Sequence, residues 1–87
     1  MDKQQKLKEV IEYISQLAED NTIPRNIRRG ASTVKERLMK ENESLDVRLA
    51  SAIFQLDELA NEPNIPMHGR TMIWNIISHL EALQKGE

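Results

Sequence analysis

Arg25, Arg28 and Arg29 sit immediately after Pro24, at what reads as the start of a helix. Residues 21–40 hold these three plus Lys35, Arg37 and Lys40 against Glu36 alone, a local net charge of +5 in a chain whose total is −2. Unpaired N–H groups at a helix start, joined by guanidinium groups, suit a phosphate or a nucleic-acid backbone. The same arginines are mildly unfavourable against the positive end of the helix dipole, so acidic neighbours are expected to compensate. Glu19, Asp20, Asp57, Glu58 and Glu62 are available at matching helix ends, which predicts Arg28 and Arg70 as structural ion pairs. Arg25 and Arg29 are then the better candidates for an external anion or nucleic-acid contact. No aromatic residues interleave with the basic ones, so sequence readout is not expected.

Other chemistry finds little footing. The chain has no cysteine, which removes disulfides, thiolate nucleophiles and Cys-type metal sites. A di-iron helical site wants Glu-x-x-His motifs, but Ile76 precedes His79 and Ile65 precedes His68 at that spacing. The two histidines are eleven residues apart, about 16 Å along a helix, too far to share an ion. Ser15, Ser32, Ser51 and Ser78 fall mid-helix without a Gly-x-Ser-x-Gly elbow, and three glycines make no phosphate-cradling loop. Carboxylate pairs such as Glu19-Asp20 and Asp57-Glu58 read as solvated helix surfaces and ends. The expectation is a protein that is not an enzyme, with no metal and no cofactor.

The elements that must carry these residues are helices. Leu7, Val10, Ile11, Ile14, Leu17 and Ala18 form one helical stripe, with Asp2 as its N-cap. Ile27, Ala31, Val34 and Leu38 mark a second helix, ending near Glu41-Asn42. Ser44 caps a third, with Leu45, Leu49, Ala52, Ile53, Leu56, Leu59 and Ala60 on one face; the fourth carries Ile73, Ile76, Ile77, Leu80 and Leu83. Gly30 and Gly69 fall inside expected helices, at about 1 kcal/mol each relative to Ala. Nothing alternates with period two. At 87 residues and 39% apolar composition, one domain spanning 1–87 is expected, near the lower size limit for a single core. No uncharged apolar run could span a membrane, and Met1-Asp2-Lys3-Gln4-Gln5 does not resemble a signal peptide, so a cytoplasmic location is expected.

The two helix breaks repeat each other. Leu17-Ala18 through Ile23-Pro24 aligns with Leu59-Ala60 through Ile65-Pro66 at an offset of 42 (66 − 24). The same offset pairs Leu7 with Leu49, Ile11 with Ile53, Arg28 with Arg70, and Leu38 with Leu80. This predicts two similar helical hairpins, about 2–42 and 44–84, closing face to face into an antiparallel four-helix bundle with helices of about 17 residues. Thr22 and Asn64 are expected to cap the helices that follow, with Pro24 and Pro66 in their first turns.

The stretch Asn64-Ile65-Pro66-Met67-His68-Gly69-Arg70-Thr71-Met72-Ile73-Trp74-Asn75-Ile76-Ile77-Ser78-His79-Leu80-Glu81 resembles the C-terminal signature of a family of short archaeal proteins classed as uncharacterised. Ile23-Pro24-Arg25-Asn26-Ile27-Arg28-Arg29 is similar to that family's other characteristic stretch. The resemblance covers essentially the whole chain and implies a compact four-helix bundle. It brings no catalytic or ligand residues with it.

One surplus is left over. Val47, Ala50 and Phe54, then Met67, Trp74 and Ile77, widen the apolar arc of the second hairpin, where matching positions of the first include Glu12, Arg25, Ser32 and Lys35. Trp74 is expected mainly as core; the alternative is a strip of Phe54, Met67, Trp74 and Ile77 left for a partner. The function expected is therefore protein interaction or scaffolding, through a protein partner or as a homodimer. The alternative is a nucleic-acid- or phosphate-binding accessory protein using Arg25, Arg28 and Arg29.

Overall fold

A computed structural model describes residues 2–86. It contains four helices and, among the described residues, no strand: α1 Lys3–Glu19, α2 Arg25–Met39, α3 Leu45–Ala60 and α4 Met67–Gln84. The buried apolar side chains of the helices fall within the predicted stripes, whose other members, among them Leu7, Ile11, Ile53 and Ile77, are half-buried beside them. Val10, Ile14 and Leu17 of α1, Ile27, Ala31, Val34 and Leu38 of α2, Leu49, Ala52, Leu56 and Ala60 of α3, and Ile73, Ile76, Leu80 and Leu83 of α4 share one apolar cluster. Each helix packs on two others, α1 on α2 and α4, and α3 on α2 and α4, with no close approach across the diagonals. Ile23 and Ile65, from the two connections, close the cluster at one end.

The helix starts follow two designs. Asp2 accepts a hydrogen bond from the Gln5 N–H at 2.8 Å and Ser44 one from Val47 at 3.3 Å, so α1 and α3 are capped by side chains as expected. α2 and α4 are not. Thr22 and Asn64 do not cap them; the residues at the cap positions are Pro24 and Pro66, which supply only their carbonyls. Pro24 O accepts from Ile27 and Arg28, and Pro66 O from Arg70. The prolines thus stand one position earlier than the first turn, in extended backbone, where their lack of an N–H leaves nothing unsatisfied. α2 also stops at Met39, short of the expected Glu41-Asn42.

The connections fold alike. Ile23 N donates to Asp20 O at 3.0 Å, and Ile65 N to Glu62 O at 3.2 Å, so residues 42 apart make the same turn. Both glycines inside helices answer to close approach. A methyl group on Gly30 would lie 2.5 Å from a Leu59 Cδ, and one on Gly69 would lie 2.8 Å from Ile23 Cδ1. The packing of α2 on α3, and of α4 under the first connection, uses the space a side chain would fill.

Candidate functional site

Three of the four strip residues lie on the surface. Phe54 is 59%, Met67 70% and Trp74 53% exposed, while Ile77 is half-buried. Trp74 is therefore not core. The reason is angular: the core residues Ile73, Ile76 and Leu80 take one side of α4, and Trp74 projects roughly 130° from their mean direction at about 100° per residue. Phe54 and Val47 point almost directly away from Leu49, Ala52 and Leu56 on α3. His79 lies toward α1, where its ring meets Tyr13 edge-on with centroids 5.4 Å apart. The opposite flank of α4, which carries Arg70, Trp74 and Ile77, is thus the flank toward α3.

Arg70 is held among these groups. Its Nε donates to Ala60 O, the last residue of α3, at 3.1 Å, and its guanidinium lies 6.0 Å from the Trp74 ring centroid. Arg48 does likewise near the start of α3, donating to Leu38 O of α2 at 2.7 Å. Arg28 donates from Nε to Ile23 O at 2.9 Å. Arg28, Arg48 and Arg70 each occupy the fourth position of their helix and tie it to a carbonyl of the chain that precedes it. The expected partners of Arg28 and Arg70 were carboxylates; the observed ones are carbonyls. Among the described residues the ion pair is Arg37–Glu43, at 3.3 Å.

The basic start of α2 is therefore divided. Arg28 is half-buried and engaged with Ile23, whereas Arg25 and Arg29 are exposed. Asn26, between them, faces the other connection: its amide donates to Glu62 Oε1 at 3.0 Å and exchanges hydrogen bonds with Asn64. A second brace runs from Thr22 to His68, at 2.8 Å. The Thr22 hydroxyl gives its hydrogen to Asp20 Oδ1, so His68 Nε2 donates to Thr22. Asn26 and His68 are 42 apart, as are Thr22 and Asn64, so the two braces cross between the connections as counterparts of each other. The side-chain and backbone hydrogen bonds from Thr22, with the nearby charges of His68 and Arg28, hold the Asp20 carboxyl below the usual carboxylate range. Sequence reasoning missed these braces; the one signal was the alignment of polar residues at equivalent places in both breaks.

Among the described residues no three of His, Cys, Asp and Glu gather where they could hold a metal ion, and no helix is long and apolar enough to cross a membrane. A surface groove of about 540 Å³ is lined by apolar residues including Leu7, Ile11 and Leu45 together with Lys3, Lys8, Glu41 and Arg48. What fold and surface define together is a small all-α protein with a filled core and an aromatic outer face. The chain belongs to the uncharacterised protein family UPF0147, whose family model matches residues 1–83. It is 51% identical over 77 residues to a UPF0147 protein of Thermoplasma volcanium, covering 88% of this chain and 86% of that one. It is 47% identical over 78 residues to a family member from Methanocaldococcus jannaschii, covering 90% and 84%. A crystal structure of a UPF0147 protein from Thermoplasma acidophilum matches with a TM-score of 0.88 at 49% identity, over 92% of this chain and 94% of the other. A second crystal structure, of a protein of unknown function, matches at 0.84 and 46% identity, over 87% and 86%.

Proposed function

We propose that this is a non-enzymatic cytoplasmic protein that works by holding another protein against the outer face of α3 and α4. The observation that carries the reading is the exposure of Phe54, Met67 and Trp74 on two adjacent helices. Loose packing does not account for it. The radius of gyration is 12.2 Å, against about 12 Å expected for a compact chain of this length. Large aromatics left wet on a well-filled fold are the usual anchors of protein interfaces.

The scaffold for that face is read as two similar hairpins in an antiparallel bundle. Support comes from the ring of helix contacts, the short connections, the shared Ile–carbonyl turn, and the crossed braces between residues 42 apart.

A second reading rests on a different observation: Arg25 and Arg29 are exposed at an α2 start that no side chain caps. They would bind the phosphates of a nucleic acid, with an affinity that falls steeply as salt rises.

Affinity capture from the native cells, with and without nuclease, separates the two. The protein-contact reading expects a nuclease-resistant partner retained by the wild type and lost by a Phe54→Ser/Trp74→Ser double variant. Retention abolished by nuclease and by Arg25→Ala/Arg29→Ala, with no effect of the first pair, would replace it with the nucleic-acid reading.

A further inference from the structure

We infer that the partner on this face is a second copy of the same chain, with α4 lying antiparallel on α4 about a two-fold axis between Trp74 and Ile77. The inference rests on the reading of the α3/α4 face as a protein-contact surface and adds its occupant. Arg70, Trp74, Ile77 and Glu81 follow one another at i, i+4, i+7 and i+11, which places them within roughly 60° of arc on one side of the helix. Read in either direction, that stripe has a charge at each end and two apolar groups between. The end charges are opposite. Reversing the stripe on itself therefore sets Arg70 against the second copy's Glu81 at both ends and Trp74 against Ile77 in the middle. This is the self-complementarity an isologous interface requires.

The charges are available for that purpose. Neither Arg70 nor Glu81 has an ion-pair partner among the described residues; the chain's ion pair there is Arg37–Glu43. Arg70 spends its Nε on Ala60 O, and its guanidinium already lies near the Trp74 ring. It is thus fixed beside the aromatic group it would flank in the dimer, so little side-chain freedom is lost on association. Phe54, projecting from the adjacent α3, extends the apolar area beside the axis.

Sedimentation equilibrium of the purified full chain tests the arrangement through charge reversal. Wild type is expected to dimerise at micromolar concentration. Glu81→Arg brings two arginines together at each end and should weaken association by about tenfold or more. Arg70→Glu should do the same with two carboxylates, and an equimolar mixture of the two variants should recover a mixed dimer. Glu58→Arg, which reverses a charge outside the stripe, should leave association within about twofold of wild type. Should Arg70→Glu lose its helical circular dichroism through the missing Ala60 bond, Glu81→Arg and its Glu58→Arg control decide the matter alone. A wild type that stays monomeric through the micromolar range, or a dimer indifferent to Glu81→Arg, overturns the inference. If that monomer still retains a cellular partner that Phe54→Ser/Trp74→Ser loses, the second copy is excluded and the protein-contact reading stands. If it retains none, both fall.

Discussion

Trp74 leaves about half of its surface in solvent, so truncating it opens no large internal cavity. Trp74→Ala should lower unfolding free energy by no more than about 1 kcal/mol in dilute solution, against about 3–5 for a buried aromatic, as measured by urea denaturation. Arg48 and Arg70 should matter more than their half-exposed positions suggest, because each satisfies a carbonyl at the end of the preceding helix. Arg48→Ala and Arg70→Ala are each expected to cost about 1–2 kcal/mol in the same assay. That Arg28 and Arg70 serve structure was legible from their repeat positions, but their acceptors were not. A sequence displays its carboxylates, whereas helix-end carbonyls become acceptors only once the chain has folded. Asp20 supplies a pH test. Its folded-state pKa is depressed, so its contribution is complete at pH above the ordinary carboxylate range and is lost as pH falls through the depressed value. The stability difference between wild type and Asp20→Ala should therefore be constant near neutrality and shrink on acidification, as read from urea midpoints across that range.

At the scale of elements, the four helices and their buried faces were readable because aliphatic residues recur at helical spacing with few interruptions. The starts of α2 and α4 were not, because Thr22 and Asn64 have the chemistry of caps and spend it elsewhere: Thr22 on Asp20 and His68, Asn64 on Asn26. Pairing across 46 residues is invisible to local pattern. The Thr22–His68 brace should appear in a double-mutant cycle of Thr22→Val and His68→Ala as a coupling of about 0.5–1 kcal/mol in unfolding free energy. Gly69 was legible only as a weak spot in α4, yet it makes room for Ile23, Ile65 and Pro66. Gly69→Ala should destabilise by about 1 kcal/mol, overpacking of about 1–3 kcal/mol outweighing the gain in helix propensity, as measured by thermal unfolding.

At the scale of the whole molecule, a chain of this size spends most of its apolar side chains on one core, and those left outside stand out. The apolar surplus on α3 and α4 was visible in the sequence as residues beside the main stripes, but its destination was not. A widened arc reads the same whether it meets a neighbouring helix or water, and only the packed positions of the helices beside it settle which. Those neighbours cover Ile73, Ile76 and Leu80 and leave Phe54, Met67 and Trp74 open. The deciding property is whether Trp74 is wet in the single chain and covered in the working assembly. As the chain's one tryptophan, it reports this directly through emission wavelength and acrylamide quenching over a dilution series. Red-shifted, readily quenched emission at nanomolar concentration, moving to blue-shifted and protected emission in the micromolar range, is the result expected. Emission that is blue and shielded even at the lowest concentration, or red and quenchable throughout, would contradict it.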